Sequence, residues 1–63
     1  MIDKEYLKAK LELINNQIEK SKKNTIREIE AEEIVTATSD LLIMRDLKEQ
    51  QLFIKEILGD KYE

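Results

Sequence analysis

The sequence predicts an all-α fold: a helical hairpin, with a short first helix and a long second helix, that oligomerises into a helical bundle. Apolar residues recur at intervals of three and four along most of the chain, which is the period of amphipathic helices. There is no Pro, and the only Gly is Gly59, so no helix-breaking residue precedes the last few positions. One stop-and-start signal, between Lys20 and Glu28, divides the apolar pattern into two helices.

The first helix is predicted to span residues 4–22. Asp3 is a suitable N-cap, and Ile2 and Leu7 occupy the two positions of a hydrophobic staple. The side that faces the core is a row of apolar residues at spacings of four, three and four: Leu7, Leu11, Ile14 and Ile18. We expect Tyr6 and Leu13 to widen this row on one flank.

A turn is predicted at residues 23–25. Three lysines (Lys20, Lys22 and Lys23) place positive charge where a helix C-terminus is negative, and Asn24 tolerates the left-handed conformation that ends many helices. Thr25 and Glu28 have the spacing of a capping box, in which each side chain satisfies a free backbone N–H of a new helix.

The second helix is predicted to span residues 26–58, with Gly59 as its C-cap and a tail over residues 59–63, of which residues 60–63 should fray. The segment 36–40 is rich in Thr, Ser and Asp, which are indifferent helix formers. A break there would give the alternative fold, a three-helix bundle. Because the segment contains no Gly, Pro or Asn, the sequence favours one continuous helix, straight or kinked near Thr38, and a single small helical domain.

The second helix is apolar well beyond the reach of the first. Residues 41–44 are four consecutive apolar residues, so we expect this part of the helix to be buried on every side. With a turn near Asn24, the helices would be about 29 Å and 50 Å long, and the second would extend past the first. The sequence therefore predicts an intermolecular interface at Leu41, Met44, Leu47, Phe53, Ile54, Ile57 and Leu58.

Catalytic chemistry has few candidate residues. The chain contains no His and no Cys, and neither Ser21 nor Ser39 has a plausible base nearby. A helical acidic face such as Glu28, Glu32 and Glu33 is more often solvated than metal-binding, and there is no glycine-rich phosphate loop. We therefore expect no enzymatic activity, no catalytic residues, no metal site and no cofactor.

Two kinds of helical hairpin resemble the chain in shape. The small aspartyl-phosphate phosphatases of sporulating bacteria carry Ser-Gln-x-x-Asp on their second helix, whereas residues 38–42 here read Thr-Ser-Asp-Leu-Leu, without the Gln and with the wrong Asp spacing. The plasmid copy-control protein that binds paired RNA loops is also a dimeric hairpin. No motif matches it, and a net charge of −3 does not favour nucleic-acid binding.

The remaining function classes involve protein partners. No apolar run approaches the roughly 20 residues of a membrane span, and the N-terminus is unlike a signal peptide, so we expect a cytoplasmic protein with no membrane partner. The composition is typical of small bacterial or phage proteins. We expect a non-catalytic interaction module (an adaptor, inhibitor or regulator) acting through an exposed apolar helical face. The alternative is a self-assembling structural bundle; the partner is the chain itself, a larger protein, or both.

Overall fold

The chain folds as two antiparallel helices in a computed structural model that describes residues 3–59. Helix α1 spans Lys4–Glu30 and helix α2 spans Ile34–Leu58, and no strand occurs among these residues. The predicted all-α helical hairpin is confirmed. The predicted difference in helix length is wrong, because the helices have 27 and 25 residues and are both about 40 Å long.

Helix α1 begins as the sequence predicts. The Oδ1 atom of Asp3 accepts hydrogen bonds from the backbone N–H groups of Glu5 at 3.0 Å and Tyr6 at 3.3 Å. Two of the four N–H groups that a helix start leaves without an intrahelical partner are thereby satisfied. Ile2, the other half of the predicted staple, lies outside the described residues.

The predicted turn at residues 23–25 is wrong, because α1 continues through it for two more turns. Thr25 does not cap a new helix. Its hydroxyl donates to the backbone oxygen of Ser21 at 2.8 Å, the bond that a Thr makes inside a helix. Asn24 also keeps a helical role, since its Oδ1 accepts a hydrogen bond from Nη2 of Arg27 at 3.2 Å. Local hydrogen bonds within one helix therefore replace the capping box.

The observed turn is formed by residues 31–33. Glu32 has a φ of 63°, in the left-handed region, and its N–H donates to the oxygen of Ile29 at 3.0 Å. The N–H of Glu33 donates to the oxygen of Glu28 at 2.8 Å. This pair of bonds is a Schellman motif, in which a left-handed residue satisfies the last carbonyls of a helix. Helix α2 begins directly after it, and the N-cap residue Glu33 makes no side-chain capping bond.

Helix α2 is continuous through residues 36–40, so the predicted alternative of a three-helix bundle is wrong for the described part of the chain. The hydroxyl of Thr38 donates to the backbone oxygen of Ile34 at 2.8 Å, which satisfies it within the helix. Gly59 caps the C-terminus, as predicted, with a φ of 100° and its N–H directed to the oxygen of Lys55 at 3.0 Å. The predicted fraying at residues 60–63 falls outside the described residues.

The apolar core lies at the open end of the hairpin, away from the turn. The predicted row on α1 is buried or partly buried, and Ile14 at 1% exposure is the most enclosed side chain. Tyr6 and Leu13, which were expected to widen it, are more than half exposed. The core consists of Leu11, Ile14, Ile18, Met44 and Ile54, with Leu7, Leu47 and Leu58 packed against it.

The closed end of the hairpin, next to the turn, is filled differently. The buried residues there are Thr25, Glu28 and Ala37, which offer little apolar surface. They continue the same three-and-four spacing that the core residues follow along each helix. We call the line of inward-facing residues along which α1 and α2 meet the seam. It is apolar at the open end of the hairpin and polar at the closed end.

Candidate interaction surface

The predicted interface residues divide between the inside and the outside of the hairpin. Met44 and Ile54 are buried, and Leu47 and Leu58 pack against them, so these four belong to the core. Placing Met44 and Ile54 on an intermolecular surface was wrong. Leu41 is 50% exposed, Phe53 is 63% exposed, and Ile57 is 36% exposed.

The position of the turn explains this division. A turn near Asn24 would leave the second half of α2 without a neighbour. A turn at residues 31–33 makes the helices equal in length, and α1 then covers α2 as far as Leu58. The side-chain amide of Gln51 shows this alignment directly, since its Nε2 donates to Oδ1 of Asn15 at 2.6 Å.

The exposed side of α2 carries large apolar side chains. Within the single chain residues 41–44 are not buried on every side: only Met44 is buried, and its three predecessors are about half exposed. Leu52 is 59% exposed, and Ile34 and Val35 are exposed nearer the turn. A helix has one buried side in a two-helix hairpin, so apolar residues on its other sides remain in solvent.

Six residues define what we call the outward strip of α2. At roughly 100° per residue they lie within about 60° of one line along α2, on the side away from the positions that face α1, and all are exposed. Two apolar pairs lie at its ends and two opposite charges lie between them. In chain order the outward strip consists of Leu41, Leu42, Arg45, Glu49, Leu52 and Phe53.

Among residues 3–59, Arg45 at the charged centre of the outward strip makes only a weak ion pair. Nη2 of Arg45 lies 3.8 Å from Oδ1 of Asp46, and both side chains are about two-thirds exposed. An ion pair of that length and exposure contributes little to stability. Arg45, Glu49, Leu41 and Leu52 line one shallow groove of about 320 Å³, together with Lys48 and the edge of the buried Met44.

The predicted interface did not include Leu42 or Leu52, which the structure places on the surface. The signal that identifies them is the seam itself. Counting back from Leu58 in steps of four and three gives one continuous row on α2: Leu58, Ile54, Gln51, Leu47, Met44, Asp40 and Ala37. Every apolar residue of α2 outside that row is exposed.

A second cluster, at the closed end, is acidic. Glu28 is 9% exposed, and its Oε1 atom is buried without a hydrogen-bond partner. The Asp40 carboxyl group, with which a protonated Glu28 hydrogen-bonds, raises the pKa of Glu28 above its usual value. Burial and the negative charges of Asp40 and Glu33 act in the same direction, and Arg27 opposes them. Protonation therefore favours closure of this end.

Within residues 3–59, no three His, Cys, Asp or Glu side chains lie together in a way that would hold a metal ion. Neither α1 nor α2 is long and apolar enough to cross a membrane. No protein family matches the chain, and neither a curated protein nor a solved structure matches it.

Proposed function

We propose that this protein is a non-catalytic interaction module that binds a protein partner through the outward strip of α2. The observation that carries the proposal is the exposure of Leu41, Leu42, Leu52 and Phe53, each about half or more in solvent, on one side of one helix. Large apolar residues clustered on a surface favour association, because burying the half of each side chain that is still exposed gains roughly half of the about 1.5–3 kcal/mol of full burial, before the costs of association.

The opposite charges in the outward strip support recognition rather than non-specific adhesion. Arg45 and Glu49 lie one helical turn apart between the two apolar pairs. A partner with apolar residues at both ends and complementary charges at its centre would match this pattern, and other surfaces would leave a charge without a partner. An amphipathic helix is the simplest protein element that offers such a pattern.

Site-specific photo-crosslinking tests this function. A photoreactive phenylalanine analogue replaces Phe53 in the full chain, which is produced in its native cells and irradiated. We expect a discrete protein adduct from this position. Tyr6 provides the matched control, since it is an aromatic residue of equal exposure (64%) on α1, outside the outward strip.

The same experiment is repeated with Leu42→Asp added to the chain that carries the photoreactive group. The adduct should disappear, because an ionised carboxylate replaces an apolar contact. Circular dichroism establishes that the helices remain, since Leu42 is not part of the core. Absence of any adduct from position 53, or equal adducts from positions 6 and 53, would contradict the proposed function.

A further inference from the structure

The outward strip of α2 has a symmetric pattern about the level of Leu47. Arg45 and Glu49 each lie two residues from that level, on opposite sides of it. Leu42 and Leu52 each lie five residues from it, and Leu41 and Phe53 each lie six. Reading the strip from either end therefore gives an apolar pair, one charge, the opposite charge and an apolar pair.

This pattern is the requirement for pairing with an identical strip. In a twofold dimer the same surface patch is used by both copies, so residue i of one copy meets residue j of the other and j meets i. We infer that the partner of the outward strip is a second copy of this chain, with the two α2 helices antiparallel across a twofold axis level with Leu47. This inference rests on the proposed function, because it names the occupant of the same surface.

The antiparallel arrangement places opposite charges together. Arg45 of each copy lies level with Glu49 of the other, which gives two ion pairs related by the twofold axis. In a parallel arrangement Arg45 would lie beside Arg45 of the second copy, and Glu49 beside Glu49. Like charges at close range disfavour association, so the charges select the antiparallel dimer.

The apolar residues agree with the same register. The Leu41 and Leu42 pair lies level with the Leu52 and Phe53 pair of the second copy, and this contact occurs twice in the dimer. The two contacts lie about 17 Å apart along the helix axis, on either side of the charges. Four large apolar side chains from each copy then leave solvent at once. Six residues from each copy are far fewer than the roughly 20–30 residues a side of a standard stable interface, so we expect a reversible association.

The dimer leaves the hairpin unchanged. The side chains of the outward strip are outside the core of Leu11, Ile14, Ile18, Met44 and Ile54. Arg45 exchanges its weak 3.8 Å contact with Asp46 for Glu49 of the second copy. Each copy keeps α1 on one side of α2 and gains the second α2 on the other.

Charge exchange tests both the occupant and the register. Arg45→Glu and Glu49→Arg are prepared separately in the full chain, and association is measured by sedimentation equilibrium. We expect each variant to dimerise at least tenfold more weakly than wild type, because both ion pairs become like-charge pairs. An equimolar mixture of the two variants should form a heterodimer close to wild-type affinity, and the double variant should recover the homodimer.

Matched controls separate this result from a general charge effect. Lys23→Glu and Glu12→Arg make the same changes of charge at exposed positions of α1, and both should dimerise as wild type does. Circular dichroism reports whether each variant keeps its helices. Failure of the two variants to form a heterodimer, or equal weakening by the control variants, would overturn the antiparallel pairing.

Two further results distinguish failure of self-pairing from failure of the proposed function. A wild-type chain that stays monomeric at millimolar concentration overturns self-pairing. If position 53 then crosslinks to a different protein, the interaction function stands and its occupant is that protein. If position 53 gives no adduct at all, both proposals are wrong.

Discussion

The side chains of Gln51 and Asn15 join the two helices through a hydrogen bond of 2.6 Å between Nε2 and Oδ1. Gln51 occupies a position in the seam of α2 between Leu47 and Ile54, where an apolar residue would otherwise continue the row. A polar residue in such a row aligns the helices at some cost in stability, because a hydrogen bond contributes less than a fully apolar contact.

We therefore predict that Gln51→Leu stabilises the hairpin by about 1 kcal/mol, since it adds apolar surface to the seam and leaves only the exposed Asn15 without its partner. Urea unfolding measures the change. Gln50→Leu is the matched control, because Gln50 is exposed. Its effect should stay within about 0.5 kcal/mol. Equal stabilisation by both variants would show that Gln51 is not a seam position.

The turn residue Glu32 gives a second prediction. A φ of 63° is unfavourable for an L-residue with a side chain and costs nothing for Gly. Glu32→Gly should raise the free energy of unfolding by about 0.5–1 kcal/mol. Asn24→Gly should lower it by a similar amount, because Asn24 lies inside α1. The opposite order of the two variants in thermal unfolding would place the turn at Asn24 instead.

The sequence predicts the fold class, the start of α1, the end of α2 and the core-facing row of α1. It does not predict the turn, because the local signals point to the wrong place. Asn24 and Thr25 are common at helix boundaries, whereas Glu32 has no feature that marks a left-handed position. What determines the turn is non-local: two seams of equal length pair along their whole extent only if the chain reverses near Glu32.

The misplaced turn also led to wrong predictions of which residues lie on the surface. With the turn misplaced, Met44 and Ile54 were assigned to an interface, although they pack against Leu11, Ile14 and Ile18. Phe53 was identified for a reason that does not hold, since its exposure comes from the side of α2 that it occupies and not from an extension of α2 beyond α1. The symmetric spacing of the outward strip is visible in the sequence, and it acquires meaning only once the seam is known.

The core gives a third prediction. Ile14→Ala should lower the free energy of unfolding by about 2–5 kcal/mol, because Ile14 is 1% exposed and its loss leaves a cavity. That loss is a large part of the total free energy of unfolding of a chain of this size. Circular dichroism should therefore show that the variant is substantially unfolded at room temperature. Leu13→Ala, at a neighbouring residue that is half exposed, should retain the helices.

The Glu28 carboxyl group gives a fourth prediction, for pH. Its pKa is raised in the folded chain, so the folded state binds its proton more tightly than the unfolded state does. The stabilisation is fully present below the usual pKa of 4.5 and is lost as the pH rises through the raised value. We therefore expect the closed end of the hairpin to be most stable in acid.

Glu28→Gln isolates this effect, because the amide stays neutral at every pH. The difference in stability between wild type and the variant should favour wild type most in acid and decline as the pH rises above 4.5. Urea titrations at several pH values measure it. Glu30→Gln, which removes an exposed carboxylate from the same helix, is the matched control.

The uneven seam also determines how the chain can fold. A hairpin with apolar residues next to its turn can close from the turn outward, adding one layer after another. Here the buried residues nearest the turn are Thr25, Glu28 and Ala37. They have little apolar surface to bury, so closing this end of the hairpin stabilises the chain very little. The first stabilising contacts join residues as distant as Ile18 and Met44, so a loop of roughly 25 residues must close before they form. We therefore expect the folding nucleus to form around Ile18 and Met44 and not at the turn.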